Sequence, residues 1–189
     1  MPWIILAVCL LLFIIAPISI RNGFVRRRNQ IANARGAIDA ILKQRFDLLP
    51  NLVETVKRYA AHEAEVFTSV TALRSGKQSY DELSTQEKQQ FDSGFGVGVR
   101  NFYAVAERYP ELQASENFMH LQRTLNELEE QLSAARRTYN AVVTDYNNSI
   151  QVFPASIIAG MGHFQPEQVL ETPEAERQVP QVKSLFGDN

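Results

Sequence analysis

Between residues 115 and 153 the apolar side chains recur at Phe118, Leu121, Leu125, Leu128, Leu132, Ala135, Tyr139, Val142 and Tyr146, in alternating steps of three and four. That spacing is a heptad seam held for about four heptads, long enough to read as a coiled-coil or bundle helix. Gln122, Arg123, Glu127, Glu129, Glu130, Gln131, Arg136 and Arg137 occupy the remaining faces. A helix of this length with so narrow an apolar stripe is not stable alone in water. It needs partner helices along its whole length. The chain is therefore predicted to be all-α, with its other segments supplying those partners. Ser115 is placed to cap the helix.

The N-terminal run from residue 3 to residue 20 carries no charge and is dominated by Leu, Ile, Val and Phe. It is just long enough to cross a bilayer core as a helix, and Pro17 near one end is tolerable there. Neither a basic segment ahead of it nor a small-residue cleavage site after it supports a cleaved signal peptide. A lipoprotein signal through Cys9 fails on the bulk of Val8. The reading is an uncleaved signal anchor over residues 1–22. Arg21, Arg26, Arg27 and Arg28 crowd its C-terminal side. The positive-inside rule then puts the bundle in the cytoplasm and the N-terminus outside. The same arginines are candidates for contact with anionic headgroups, at roughly 1 kcal/mol each near the surface. Net charge is only −2, so nothing global points to nucleic acid. One cysteine excludes an internal disulfide or a cysteine-based zinc site.

Between the anchor and the seam the sequence predicts three further helices. Ile31, Ala34, Ile38, Ile41, Leu42 and Phe46 share one face of the first. Arg35, Asp39 and Lys43 line another face at spacings of four, where Asp39 pairs with either neighbour. Asp47–Pro50 then reads as a turn, with Asp47 capping a second helix over 48–74 that returns antiparallel. Polar residues with Gly76 make a loop over 75–83. Ser84 and Glu87 have the form of a capping box opening a third helix, which Pro110 closes. The predicted architecture is a single transmembrane helix followed by an antiparallel bundle of about four long helices over 23–153. Residues 154–189 form a short apolar run, which folds back on the bundle in preference to touching the membrane surface, and a flexible tail rich in Pro, Glu and Gln.

Reactive constellations are weak. Gly94, Gly96 and Gly98 lack the strand–turn–helix context of a phosphate loop. Gly94 and Gly98 instead read as a place where another helix comes close or where the helix kinks. His62-Glu63 has Val66 where a metalloprotease helix needs its second histidine. Glu116 and His120 make at most half of a metal site. No cofactor is expected. Tyr139-Asn140 and Tyr146-Asn147 repeat at seven residues beside the seam, and the asparagines are placed to bond across helices and fix register.

The block Ile38-Asp39-x-x-Leu42-Lys43-x-Arg45-x-Asp47-Leu48-x-Pro50-Asn51-Leu52-Val53-Glu54-Thr55-Val56-Lys57 resembles the LemA family of bacterial membrane-anchored proteins. Tyr59-Ala60, His62-Glu63, Tyr109-Pro110-x-Leu112-x-Ala114, both Tyr-Asn pairs and Phe153-Pro154 extend the resemblance to about Phe164. The glycine cluster departs from it. The resemblance implies an N-terminal anchor in the bacterial inner membrane, an antiparallel bundle and no established catalysis, and some relatives organise membranes, magnetosome membranes included.

The function expected is a non-enzymatic, membrane-tethered scaffold or adaptor, with lipids, further copies and other membrane proteins as partners. Asp39, Lys43, Arg45, Asp47, Pro50, Asn51 and Glu54 are the candidate partner or packing hub. The alternative is a membrane-shaping protein that presses its arginines and its C-terminal apolar run onto lipid. A metal-dependent enzyme using His62, Glu63 or His120 is the weakest reading.

Overall fold

The computed structural model describes residues 2–59, 72–74 and 76–170; among these, the side chains of Val8, Cys9 and Leu12 lie outside the description. The described elements are helices α1 (Pro2–Tyr59), α2 (Thr85–Arg108), α3 (Pro110–Gln113), α4 (Glu116–Gln151) and α5 (Ala155–Met161), with a 3-10 turn at Tyr80–Glu82. No strand occurs among the described residues. The chain divides into two compact units, one of Met1–Ile31 with Tyr139–Asn189 and one of Ala32–Thr138.

The expected turn at Asp47–Pro50 is absent. These residues lie inside α1, which runs unbroken to Tyr59. Proline in a helix interior removes one hydrogen bond and crowds the preceding turn, at about 3 kcal/mol. The buried face explains the tolerance. Phe46, Leu49, Leu52 and Val56 continue the stripe of Ile38 and Leu42, and each is at most 1% exposed. Burying a side chain of that kind contributes roughly 1.5–3 kcal/mol, so four of them outweigh the proline, which itself points to solvent. The predicted second helix is therefore not a separate rod over 48–59. Its remaining stretch, with His62 and Glu63, falls outside the described residues apart from 72–74.

In the unit of residues 32–138, α1 pairs with α4. Arg45 meets Glu129, and Leu48, Asn51 and Arg58 share a groove with Asn117, His120 and Thr124. The pairing is antiparallel. α2 also runs antiparallel to α4, with Asp92 against Arg136 and Phe102 stacked on Phe118 at 5.4 Å. The α4 seam is buried at Phe118, Leu121, Leu125, Leu128 and Leu132. Ser84 caps α2 in a complete capping box with Glu87, and the Ser115 hydroxyl accepts the Phe118 N–H at the start of α4.

The expected loop before α2 is not peripheral. Tyr80 and Leu83 are buried, at 1% and 5% exposure. Gly94 and Gly98 form a notch for Leu73: a β-carbon on either would sit 2.8 or 2.9 Å from a Leu73 methyl.

In the unit of residues 1–31 and 139–189, α1 contributes Phe24 and Ile31 to the core and α4 contributes Tyr139, Val143, Tyr146 and Ile150. Val143 takes the inward place expected of Val142. Among the described residues no helix is long and apolar enough to cross a membrane. The expected span forms the first part of α1, with Trp3 and Phe13 about four-fifths exposed.

Candidate functional site

Two constellations bring together the residues singled out in the sequence, one in each unit. The first surrounds Arg45. This arginine is only 3% exposed. Its Nη2 donates to Glu129, its guanidinium lies 4.8 Å from the centre of the Phe95 ring, and burial is the main influence lowering its pKa. Arg45 is thus turned inward, away from the charged surface expected of the hub. Its Nε is buried with no hydrogen-bond partner among the described residues.

Asp39 and Lys43 each find a partner outside α1. Asp39 accepts a hydrogen bond from the Tyr80 hydroxyl at 3.3 Å, and Lys43 pairs with Asp81. Both partners come from the 3-10 turn. The Lys43 hydrogen bond pulls the Asp81 carboxyl below the usual range and raises the ammonium in turn. Tyr80 completes an aromatic triangle with Phe46 and Phe91, at 6.2 and 6.0 Å. Lys88 sits 4.6 Å from the Tyr80 ring centre. Burial, then Asp39, pushes the Tyr80 hydroxyl well above its ordinary pKa of 10.0. Beside this cluster Arg136 donates from Nη2 to both Asp92 oxygens, at 2.7 and 2.6 Å. Asp47, Pro50, Asn51 and Glu54 are exposed. Glu54 accepts from Arg58 at 3.0 Å, and with Asn51 it lines the open groove that also holds His120. The arrangement places cations over aromatic faces and against single carboxylates; among the described residues no group of His, Cys, Asp and Glu could hold a metal ion.

The second constellation is the Tyr-Asn repeat of α4. The Tyr146 hydroxyl donates to the Gln165 carbonyl at 3.0 Å and the Tyr139 hydroxyl to the Gln168 carbonyl at 3.3 Å. Asn147 donates to the Glu167 carbonyl at 2.8 Å and accepts its N–H at 2.9 Å. Asn140 does the same with Leu170, at 2.9 and 2.8 Å. The asparagines therefore bond to the segment after α5, not across helices as expected. That segment runs antiparallel to α4 and is neither helix nor strand. A net 0.5–1.5 kcal/mol is typical for each such bond, so the set outweighs the entropy of fixing only part of the segment.

The same unit carries the arginines. Arg27 pairs with Asp145 at 2.7 Å, while Arg21, Arg26 and Arg28 are exposed. Phe164 meets Phe24 edge-on at 5.2 Å, which brings the end of α5 beside the arginine segment. α5 buries Ala159 and exposes Ile157 and Met161.

The sequence profile of the LemA family matches residues 34–184. The chain belongs to the LemA family. It is 28% identical to Protein LemA of Metamycoplasma hominis over 160 residues, which cover 83% of this chain and 71% of that protein. It is 24% identical over 168 residues to Magnetosome protein MamQ 2 of Paramagnetospirillum magneticum and 23% identical to Magnetosome protein MamQ of Magnetospirillum gryphiswaldense. Each of these matches covers 76% of this chain and 62% of the relative, so the chain spans less than two thirds of the MamQ proteins. The LemA match takes in both constellations but begins after the arginine segment. Sequence reasoning missed Tyr80, Asp81, Lys88 and Asp92 in the first constellation, and Phe91 and Phe95 as its ring partners. An aromatic and a leucine inside an otherwise polar stretch were the available signal.

Proposed function

We propose that this LemA-family chain is a non-enzymatic adaptor tethered to the bacterial inner membrane through the first part of α1, with the remainder cytoplasmic. The observation that carries the reading is that one helix, α1, bears in order an uncharged apolar run, the arginines and a packed face. The exposure of Trp3 and Phe13 supports a lipid environment for the run. Arginines on its C-terminal side support the orientation. Relatives described as magnetosome proteins are consistent with work at a membrane. Partners would be further copies and other membrane proteins, engaged through the exposed hub residues Asp47, Pro50, Asn51 and Glu54. Crosslinking in native membranes followed by co-purification and mass spectrometry tests this. Discrete, reproducible partners are expected, and a monomer with none refutes it.

A second reading, pressing onto lipid, is favoured by one observation: the exposed apolar residues Phe153, Ile157 and Met161 recur at spacings of four beside the arginine segment. Binding of the full chain to anionic vesicles should then fall on Arg26→Gln with Arg28→Gln. It should change less on Arg27→Gln, because Arg27 already faces Asp145. Binding that is unchanged in the Arg26→Gln, Arg28→Gln variant, or that does not depend on lipid, would remove the reading.

A further inference from the structure

Tyr139, Asn140, Tyr146 and Asn147 bond to main-chain atoms of Gln165, Glu167, Gln168 and Leu170. The hold is on the backbone and does not depend on the side chains of the segment. What it positions is α5. Gln165 sits on Tyr146, and the residue before it, Phe164, meets the Phe24 ring at 5.2 Å. One position back along α4, Asp145 pairs with Arg27. α4 and α1 therefore run in opposite directions here, and the end of α4 approaches the start of α1.

Depth follows from the helix rise. Gln151, the last residue of α4, lies six beyond Asp145, so α4 ends ~9 Å closer to the apolar run, at about the level of Arg21. Phe24 lies four residues, or ~6 Å, past Ile20 at the end of that run. α5 leaves at the first level and returns at the second. It is thus held in the layer that follows the uncharged run, and the headgroup layer of a bilayer is about 5–8 Å deep on each side.

α5 is two-sided. Ala159 is buried, while Ile157 and Met161, two positions away in each direction and so on the opposite face, are more than half exposed. Phe153, just ahead of the helix, is exposed as well. Arg21 and Arg28, three before and four after Phe24, share the face of α1 that meets Phe164, and both are exposed. An apolar face edged by cations is the pattern of a segment that lies in the interface of an anionic bilayer.

We propose that α5 is a foot seated in the headgroup region of an anionic bilayer beside the tether, and that the Tyr139-Asn140/Tyr146-Asn147 repeat is the clamp that sets its height. This rests on the tether reading and deepens the lipid reading by naming the depth of contact and the residues that position it. The four clamp residues touch no lipid and act through residues 165–170.

Full-length chain in nanodiscs of phosphatidylglycerol and phosphatidylcholine tests this. With Cys9→Ser removing the single cysteine, Ile157→Cys carries a fluorophore in one sample and Gln168→Cys carries it in another. Part of the lipid bears a nitroxide high on its acyl chain, which quenches only what reaches that depth. Trp3, the single tryptophan, reports the tether in the unlabelled chain and its variants. Trp3 and the label at 157 should be quenched, and the label at 168 several-fold less. Omitting phosphatidylglycerol should weaken quenching at 157 and leave Trp3 unchanged. Asn140→Ala with Asn147→Ala should cut quenching at 157 several-fold while Trp3 quenching and helix content hold, whereas a merely structural role would move those too. Glu167→Pro with Leu170→Pro should reproduce the loss with α4 untouched, because it deletes the N–H groups that the asparagines accept. Quenching at 157 no greater than at 168, or unaffected by both clamp variants, overturns the proposal. If Trp3 is quenched and the label at 157 is not, the tether reading stands and this inference falls; if Trp3 also escapes, both fall.

Discussion

Gly96 and Gly98 share one helix and two opposite fates. Nothing lies within 4 Å of a β-carbon placed on Gly96, whereas one on Gly98 meets Leu73 at 2.9 Å. Gly96→Ala gains only helix propensity and should stabilise by up to about 1 kcal/mol. Gly98→Ala sets that gain against displacing the end of the half-exposed Leu73 side chain, and should come out near zero, below Gly96→Ala by up to about 1 kcal/mol. Denaturant midpoints of the two variants check the order. Tyr80 makes a second prediction at this scale. Its folded pKa lies above the unfolded value of 10.0, so its contribution is complete below pH 10 and is lost as pH rises beyond it. Tyr103 and Tyr146, also raised by burial, act in the same direction. Tyr80→Phe should flatten the fall in unfolding midpoint above pH 10. At the acid end Asp81 and Glu87, both held low by their hydrogen bonds, lose their contribution as pH drops below about 4. Sequence could not reveal Arg45 as a buried residue, because the carboxylate that makes its burial tolerable lies 84 positions away on another helix.

At the scale of elements, periodicity located α2 and α4 closely and misplaced α1. The capping box and Pro110 are local signals, set within a few residues of where they act, and both ends of α2 follow from them. The seam of α4 was readable because its steps outlast any local ambiguity. Its last inward valine is Val143 because a straight helix drifts about 20° per heptad against a strict seven-residue repeat. Pro50 misled for the opposite reason: its local preference for a helix start was overridden by burial of Phe46, Leu49, Leu52 and Val56. Pro50→Ala should therefore restore a hydrogen bond and relieve the crowded turn. The interior-proline cost of about 3 kcal/mol, less up to about 1 kcal/mol for a freer unfolded chain, leaves a gain of roughly 2 kcal/mol. For a chain of this length that is about 4–8 °C in Tm. No change would mean that α1 already bends at this point. The Tyr-Asn pairs were visible as a repeat, but their partners were not, since main-chain N–H and C=O groups leave no mark in a sequence.

For the whole molecule the distribution of charge matters more than its sum. A net charge of −2 conceals four arginines within residues 21–28, directly after an uncharged run of eighteen. Placing a cation on the far side of a membrane is opposed by the potential across it, at about 2.3 kcal/mol per charge per 100 mV, and cationic flanks are retained on the cytoplasmic side. Arg27 is half committed to Asp145, so its weight in that balance is smaller than that of Arg21, Arg26 or Arg28. A reporter active only in the cytoplasm, fused after Asn189, should be uniformly active in the parent chain. Changing Arg21, Arg26 and Arg28 together to Gln should leave a mixed population with both orientations, and Arg27→Gln alone should leave the parent pattern. Because Arg21, Arg26 and Arg28 are exposed and the triple variant leaves the Arg27–Asp145 pair intact, it should fold as the parent does, and any redistribution reports orientation. An unchanged reporter in the triple variant would show that residues 21–28 do not set the orientation, and would leave them to the lipid or partner contacts that their exposure permits.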